Sequence, residues 1–207
     1  MLYGALAGQL EVRAKGGSRV IAGSFPTGPK SKAVLSDGGR NGGRPKKEYF
    51  KEGAFKFSIE ATDQDILVLV GHDFNRVMAS KLSKTAKFWE DRAALHFEAS
   101  LSEEILQTQY ARDALAQIGA GLAGGVSVGF RVPPQRTVPD AERVFEEDPS
   151  EGTAIIRELS DVILYEISVV SVPAYKNSTV EARNWELMQP VAHTPNVACN
   201  SRYRWRL

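Results

Sequence analysis

Two apolar runs constrain this chain more than any other feature. Ile66-Leu67-Val68-Leu69-Val70 is continuous and of strand length, and the stretch 162–170 (VILYEISVV) has the same character with one carboxylate, Glu166, in its middle. An unbroken apolar run of this length, bounded by polar residues, reads as a strand buried on both faces. A carboxylate inside such a strand is costly unless something compensates it, so Glu166 predicts a specific partner. The bland form of that partner is a structural ion pair with an arginine.

Punctuation and periodicity organise the rest. Residues 19–25 (RVIAGSF) and 93–99 (AALHFEA) read as strands, and Tyr49 to Ile59 recovers enough aromatic character to suggest another. Ser100 and Glu103 have capping-box spacing, and apolar residues at Ile105, Ala111, Leu115 and Ile118 predict a helix over 103–118. The glycines of GAGLAGG (119–125) end it and lead into VSVGFRV. From Ile155 to Val172 the chain is strongly β-prone.

Two segments read as loops. Residues 27–48 hold five Gly, two Pro and six Lys/Arg, and residues 133–152 hold four Pro and six acidic side chains. Neither composition buries much apolar surface, so a mobile loop is expected at about 27–48 and an acidic one at about 133–152. The expected organisation is one domain over 1–184 and a C-terminal tail over 185–207. The class is α+β, mainly β.

Composition narrows the chemistry. The single cysteine, Cys199, excludes a zinc site built on several cysteines and any disulfide framework within the chain. His72, His96 and His193 are the only imidazoles. With 26 Lys and Arg against 25 Asp and Glu there is no net field to recruit nucleic acid or an anionic membrane. No apolar run approaches the roughly 20 residues of a bilayer span. The N-terminal residues lack a basic region ahead of their apolar ones, so no signal peptide is expected. No cofactor is expected either.

Three polar residues then stand out. His72 follows the apolar run 66–70, Ser127 lies in GGVSVGF, and Glu166 interrupts its strand. Serine needs a base within hydrogen-bond reach to act as a nucleophile, and histidine usually provides it with a third group fixing its tautomer. Val126, Val128 and Phe130 alternate, which puts Ser127, Gly129 and Arg131 on the opposite face. A serine on a face cleared by glycine suits close approach of a substrate. Each has an ordinary alternative: a strand-end histidine, a small packing residue, an ion pair. Weaker constellations are His96 with Glu98 as two ligands lacking a third, GAGLAGG without the lysine and helix of a phosphate loop, and Arg202, Arg204 and Arg206 alternating with aromatics.

Taken together, E-x-F-x-x-G-A-F (48–55), LVGHD (69–73), GGVSVGF (124–130) and LYEISVVSVPAY (164–175) resemble the prohead maturation proteases of tailed bacteriophages, from about residue 19 to about Arg183. The resemblance implies a fold related to the herpesvirus assemblin proteases, a mostly antiparallel β-barrel with surrounding helices. It implies a serine endopeptidase in the host cytoplasm, inside the prohead, that removes scaffold segments of the capsid protein and also cleaves itself. His72 matches the family's catalytic histidine and Ser127 its nucleophile, and Glu166 takes the third position, where the related viral enzymes use a second histidine. Asp73 is the other acid near His72, but an adjacent residue on an extended chain points to the opposite face. Oxyanion donors remain open between backbone N–H groups near Ser127 and Arg131. The implied partners are the major capsid protein or scaffold and the chain itself, with a homo-oligomer left open. Two alternatives stand beside this reading: a non-enzymatic capsid component that keeps the fold, and a serine esterase. The second lacks the G-x-S-x-G elbow.

Overall fold

The structure, a computed structural model, describes residues 1–6, 10–15, 18–39, 42–171, 185 and 187. The strands are β1 (Leu2–Leu6), β2 (Leu10–Lys15), β3 (Ser18–Pro26), β4 (Ala33–Ser36), β5 (Lys46–Phe50), β6 (Leu67–Val70), β7 (Asp73–Ser80), β8 (Ala86–Glu90) and β9 (Ala94–Leu101). They continue with β10 (Gly125–Arg131), β11 (Glu142–Glu146), β12 (Ile155–Leu159) and β13 (Ile163–Val170). Helices are few and short: α1 (Lys56–Glu60), α2 (Glu103–Gln107) and α3 (Gln109–Gly119). The chain is therefore mainly β.

Among the described residues three sheets form, with orders β1-β10-β13-β6-β7, β2-β3-β9-β8 and β11-β12-β5-β4. Most neighbours are antiparallel, but β13 pairs with β6 and β12 pairs with β5 in parallel. Among the described residues no closed barrel is found. The sheets meet in a main core, beside which Tyr49, Ala154 and Ile156 form a smaller cluster. Phe50 of β5 stacks on Phe55 at 4.9 Å and meets Phe130 of β10 edge-on at 4.9 Å and Phe25 of β3 at 5.4 Å. The two phenylalanines of the E-x-F-x-x-G-A-F motif thus join elements of all three sheets, each such pair adding about 0.5–1.5 kcal/mol beyond area burial.

The first sheet buries the apolar runs as their composition requires, with Val68, Leu69, Leu164 and Ile167 all fully buried. The expected continuous β segment 155–172 is instead two strands in different sheets. The N–H groups of Ser160 and Asp161 both donate to the carbonyl of Ala141, which turns the chain out of one sheet and into the other.

The two expected loops contain strands. Within 27–48, β4 buries Ala33 and Leu35 while Val34 faces out, and β5 begins at Lys46. Within 133–152, β11 pairs with β12. Composition misled because the segments compensate each other: Lys32 binds Glu151 at 3.0 Å, Arg44 binds Glu146 at 2.6 Å and Lys47 binds Glu147 at 2.6 Å. The expected helix 103–118 is broken at Thr108, whose hydroxyl accepts from Ala111 N–H and so starts α3. Ser102, rather than Ser100, caps α2. Residues 56–60 are α1, where a strand was expected. The boundary at 184 and the tail 185–207 lie outside the described residues except Trp185 and Leu187. Lys46 Nζ sits 5.0 Å from the Trp185 ring. No helix among the described residues is long and apolar enough to cross a membrane.

Candidate active site

The site is assembled on β10, β13 and the β6–β7 hairpin, neighbours in the first sheet. Val70 pairs with Asp73, so Gly71 and His72 are the two central residues of a tight turn. Both have positive φ, 65° and 62°, as a type I′ hairpin turn demands. Glycine adopts this freely, whereas a non-glycine residue does so uncommonly and needs support. Here β13 provides it. Gly71 N–H donates to Val169 O at 3.0 Å, and His72 N–H donates to the hydroxyl of Ser168 at 2.9 Å.

The opposite side of the site comes from β10. Its register with β13 pairs Ser127 with Ser168 and Gly129 with Glu166. Directly opposed residues share a face, so these four positions lie together, away from the Val126, Val128 and Phe130 side chains in the core. The ladder then skips Tyr165, because Phe130 pairs with Leu164. This bulge returns Leu164 to the core although it is two residues from Glu166. A carboxylate can therefore occupy an apolar strand without the apolar residues changing sides.

Glu166 is fully buried, and both its oxygens are engaged. Oε1 is 2.7 Å from His72 Nδ1, and Oε2 accepts from the Ser168 hydroxyl at 2.7 Å. A carboxylate only accepts, so it selects the tautomer in which Nδ1 carries the proton and Nε2 has the lone pair. Ser127 is fully buried and the His72 side chain is 17% exposed. A cleft of about 610 Å³ opens beside His72, between α3 (Tyr110, Asp113), the β6–β7 hairpin (Gly71, Arg76) and the end of β13 (Val170, Ser171).

Asp73 turns away from His72, toward Asn75 N–H at 2.9 Å and Arg76 Nε at 3.1 Å. His96 Nε2 binds Asp91 at 2.8 Å, and its ring stacks on Trp89 at 5.3 Å. The N–H of Ala93 is the largest cause, ahead of His96, holding the Asp91 carboxyl below its usual range. No group of three metal-ligating side chains occurs among the described residues, so His96 and Glu98 gain no third ligand there. The guanidinium of Arg131 lies over the Tyr165 ring at 5.7 Å. His193, Cys199 and the arginines at 202, 204 and 206 lie outside the described residues. Ser168 was missed by sequence reasoning, although the spacing E-x-S already put its hydroxyl on the Glu166 face.

An imidazole tied through Nδ1 to a buried carboxylate, with a serine on the adjoining strand of the same face, has the chemical makeup of a serine hydrolase. Residues 38–191 match the family model of the caudovirus prohead serine protease, and the chain belongs to that family. No curated protein and no solved structure showed a significant match.

Proposed function

We propose that this chain is the serine endopeptidase that cuts scaffold segments of capsid proteins inside the prohead, with Ser127 as nucleophile, His72 as base and Glu166 as the orienting acid. The observation that carries this is the 2.7 Å contact between His72 Nδ1 and Glu166 on the sheet face that also holds Ser127. Ser127 Oγ attacks the scissile carbonyl while His72 Nε2 takes its proton. His72 then gives that proton to the leaving amine, and water hydrolyses the acyl-enzyme by the same route. Glu166 holds the tautomer and stabilises the imidazolium. Self-cleavage belongs to the same reading, within residues 27–48 or in the tail after Trp185. The barrel that the resemblance to the assemblin proteases implies is also part of it, and the contacts of β10 with β3 and of β7 with β9 between sheets support it.

Confinement with substrate raises its effective concentration, so a modest cleft suffices for turnover. The test is cleavage of a capsid scaffold segment by the parent chain and by Ser127→Ala. Loss of cleavage with an unchanged circular dichroism spectrum is expected. Undiminished cleavage by the variant would overturn the assignment. An esterase would hydrolyse esters while sparing the scaffold segment, and a non-enzymatic capsid component would do neither.

A further inference from the structure

Ser127 and Ser168 face each other across β10 and β13, and both are fully buried. We infer that Ser168 is a positioning residue, one whose single hydroxyl fixes both the backbone of His72 and the carboxylate of Glu166. The inference rests on the site reading above and adds a fourth member to it.

The geometry makes the hydroxyl a bridge. It accepts from His72 N–H at 2.9 Å and donates to Glu166 Oε2 at 2.7 Å, and Ser168 is fully buried. Its proton is thereby committed to the carboxylate, and one of its lone pairs to the main chain. That leaves the Ser168 hydroxyl poorly suited to nucleophilic attack and well suited to holding its two neighbours. Each bond removes a different freedom. Glu166 reaches His72 on a stem with several rotatable bonds, and an anchor on Oε2 sets the direction in which Oε1 presents its lone pair. His72 stands at φ 62°, a conformation that a non-glycine residue keeps only under constraint. Holding its N–H to β13 fixes where the imidazole begins. Base and orienter are thus aligned from both ends by one atom, and misplacement of about 1 Å at such a site can cost about 100-fold in rate.

The test uses the full chain and a fluorophosphonate probe. In that reaction Ser127 Oγ forms a bond to phosphorus, fluoride leaves, and His72 takes the hydroxyl proton. Ser168→Ala is expected to lower the maximal labelling rate about 10- to 100-fold with little change in the probe's half-saturation concentration. Ser168→Cys, of similar size but a weak donor, is expected to show the same loss. Proton NMR provides a readout that needs no turnover: the downfield Nδ1–H resonance of His72 should move upfield or broaden in either variant while the amide spectrum stays dispersed. A merely structural serine would leave that resonance and the labelling rate of folded variants within about twofold of the parent, and this result overturns the inference. If Ser168→Ala does not fold, Ser168→Cys decides by the same criteria. If the parent does not label, the resonance decides. The two readings fail separately: labelling that persists in Ser127→Ala sinks the site assignment, whereas its loss there with parent-like Ser168 variants sinks only the role of Ser168.

Discussion

The carboxylate of Glu166 lies over Gly129, in the space that any side chain at position 129 would need. A Cβ built there would come within 2.8 Å of Glu166 Cγ and Cδ, and closer still to Oε1. Glycine in the strand β10 is therefore the condition for Glu166 to reach across the sheet to His72.

Gly129→Ala follows directly from this contact. The methyl must displace either Glu166 or the β10–β13 pairing, and overpacking of this kind costs about 1–3 kcal/mol. The expected outcome is a lower denaturation midpoint together with roughly 100-fold slower cleavage. Parent-like turnover in Gly129→Ala would mean that the position of Glu166 does not matter to the reaction.

Glu166→Gln separates charge from shape. The amide offers one acceptor oxygen where the carboxylate offers two, so the Nδ1–H of His72 and the hydroxyl of Ser168 can no longer each donate to an oxygen of its own, and one of them faces the NH2 group. Replacing a triad acid by its amide upsets the histidine tautomer, and a loss of roughly 1,000- to 10,000-fold in kcat is expected. Single-turnover cleavage assays would measure it. A loss below tenfold would remove Glu166 from the triad.

Arg157 anchors the third sheet. Its guanidinium is buried, with Nη1 2.5 Å from Glu48, Nη2 2.5 Å from Glu142 and Nε 2.8 Å from Glu142. Removing one partner of a buried ion pair costs on the order of 3–5 kcal/mol, so Arg157→Ala should unfold at much lower urea. Lysine cannot reproduce the planar fork, and Arg157→Lys should recover only part of the loss. Cleavage per folded molecule should not change, because the site lies in another sheet.

Stability should also fall at acid pH through Glu147. Its carboxyl is held below the usual value of 4.5, first by the hydrogen bond from Lys47 and further by the Ala154 N–H and the charges of Lys47 and Lys32. A carboxyl depressed in the folded state stabilises the fold above its unfolded value and loses that contribution as pH falls through the folded one. Urea midpoints measured from pH 6 down to about 3 should drop, and Glu147→Gln should make the drop shallower. An identical acid profile in the variant would remove Glu147 as its source.

The sequence and the tertiary structure divide the account unevenly. The strands around Val68, Val128 and Ile167 were legible because period-two alternation and apolar runs are local properties of the chain. The segments 27–48 and 133–152 were not, because each is charged and turn-rich alone. Their order depends on ion pairs such as Lys47–Glu147, formed between residues 100 apart in sequence.

At the site the same boundary falls within single residues. The sequence by itself determined that Glu166 needed a partner, that Ser127 stood on a face cleared by glycine, and that His72 closed the most apolar strand. Only the tertiary structure decided that the partner of Glu166 is His72, that Asp73 turns to Arg76 instead, and that Ser168 bridges the pair. The reason is register: a bulge at Tyr165 and a parallel pairing of β13 with β6 bring together side chains 94 residues apart, and no local pattern encodes that alignment.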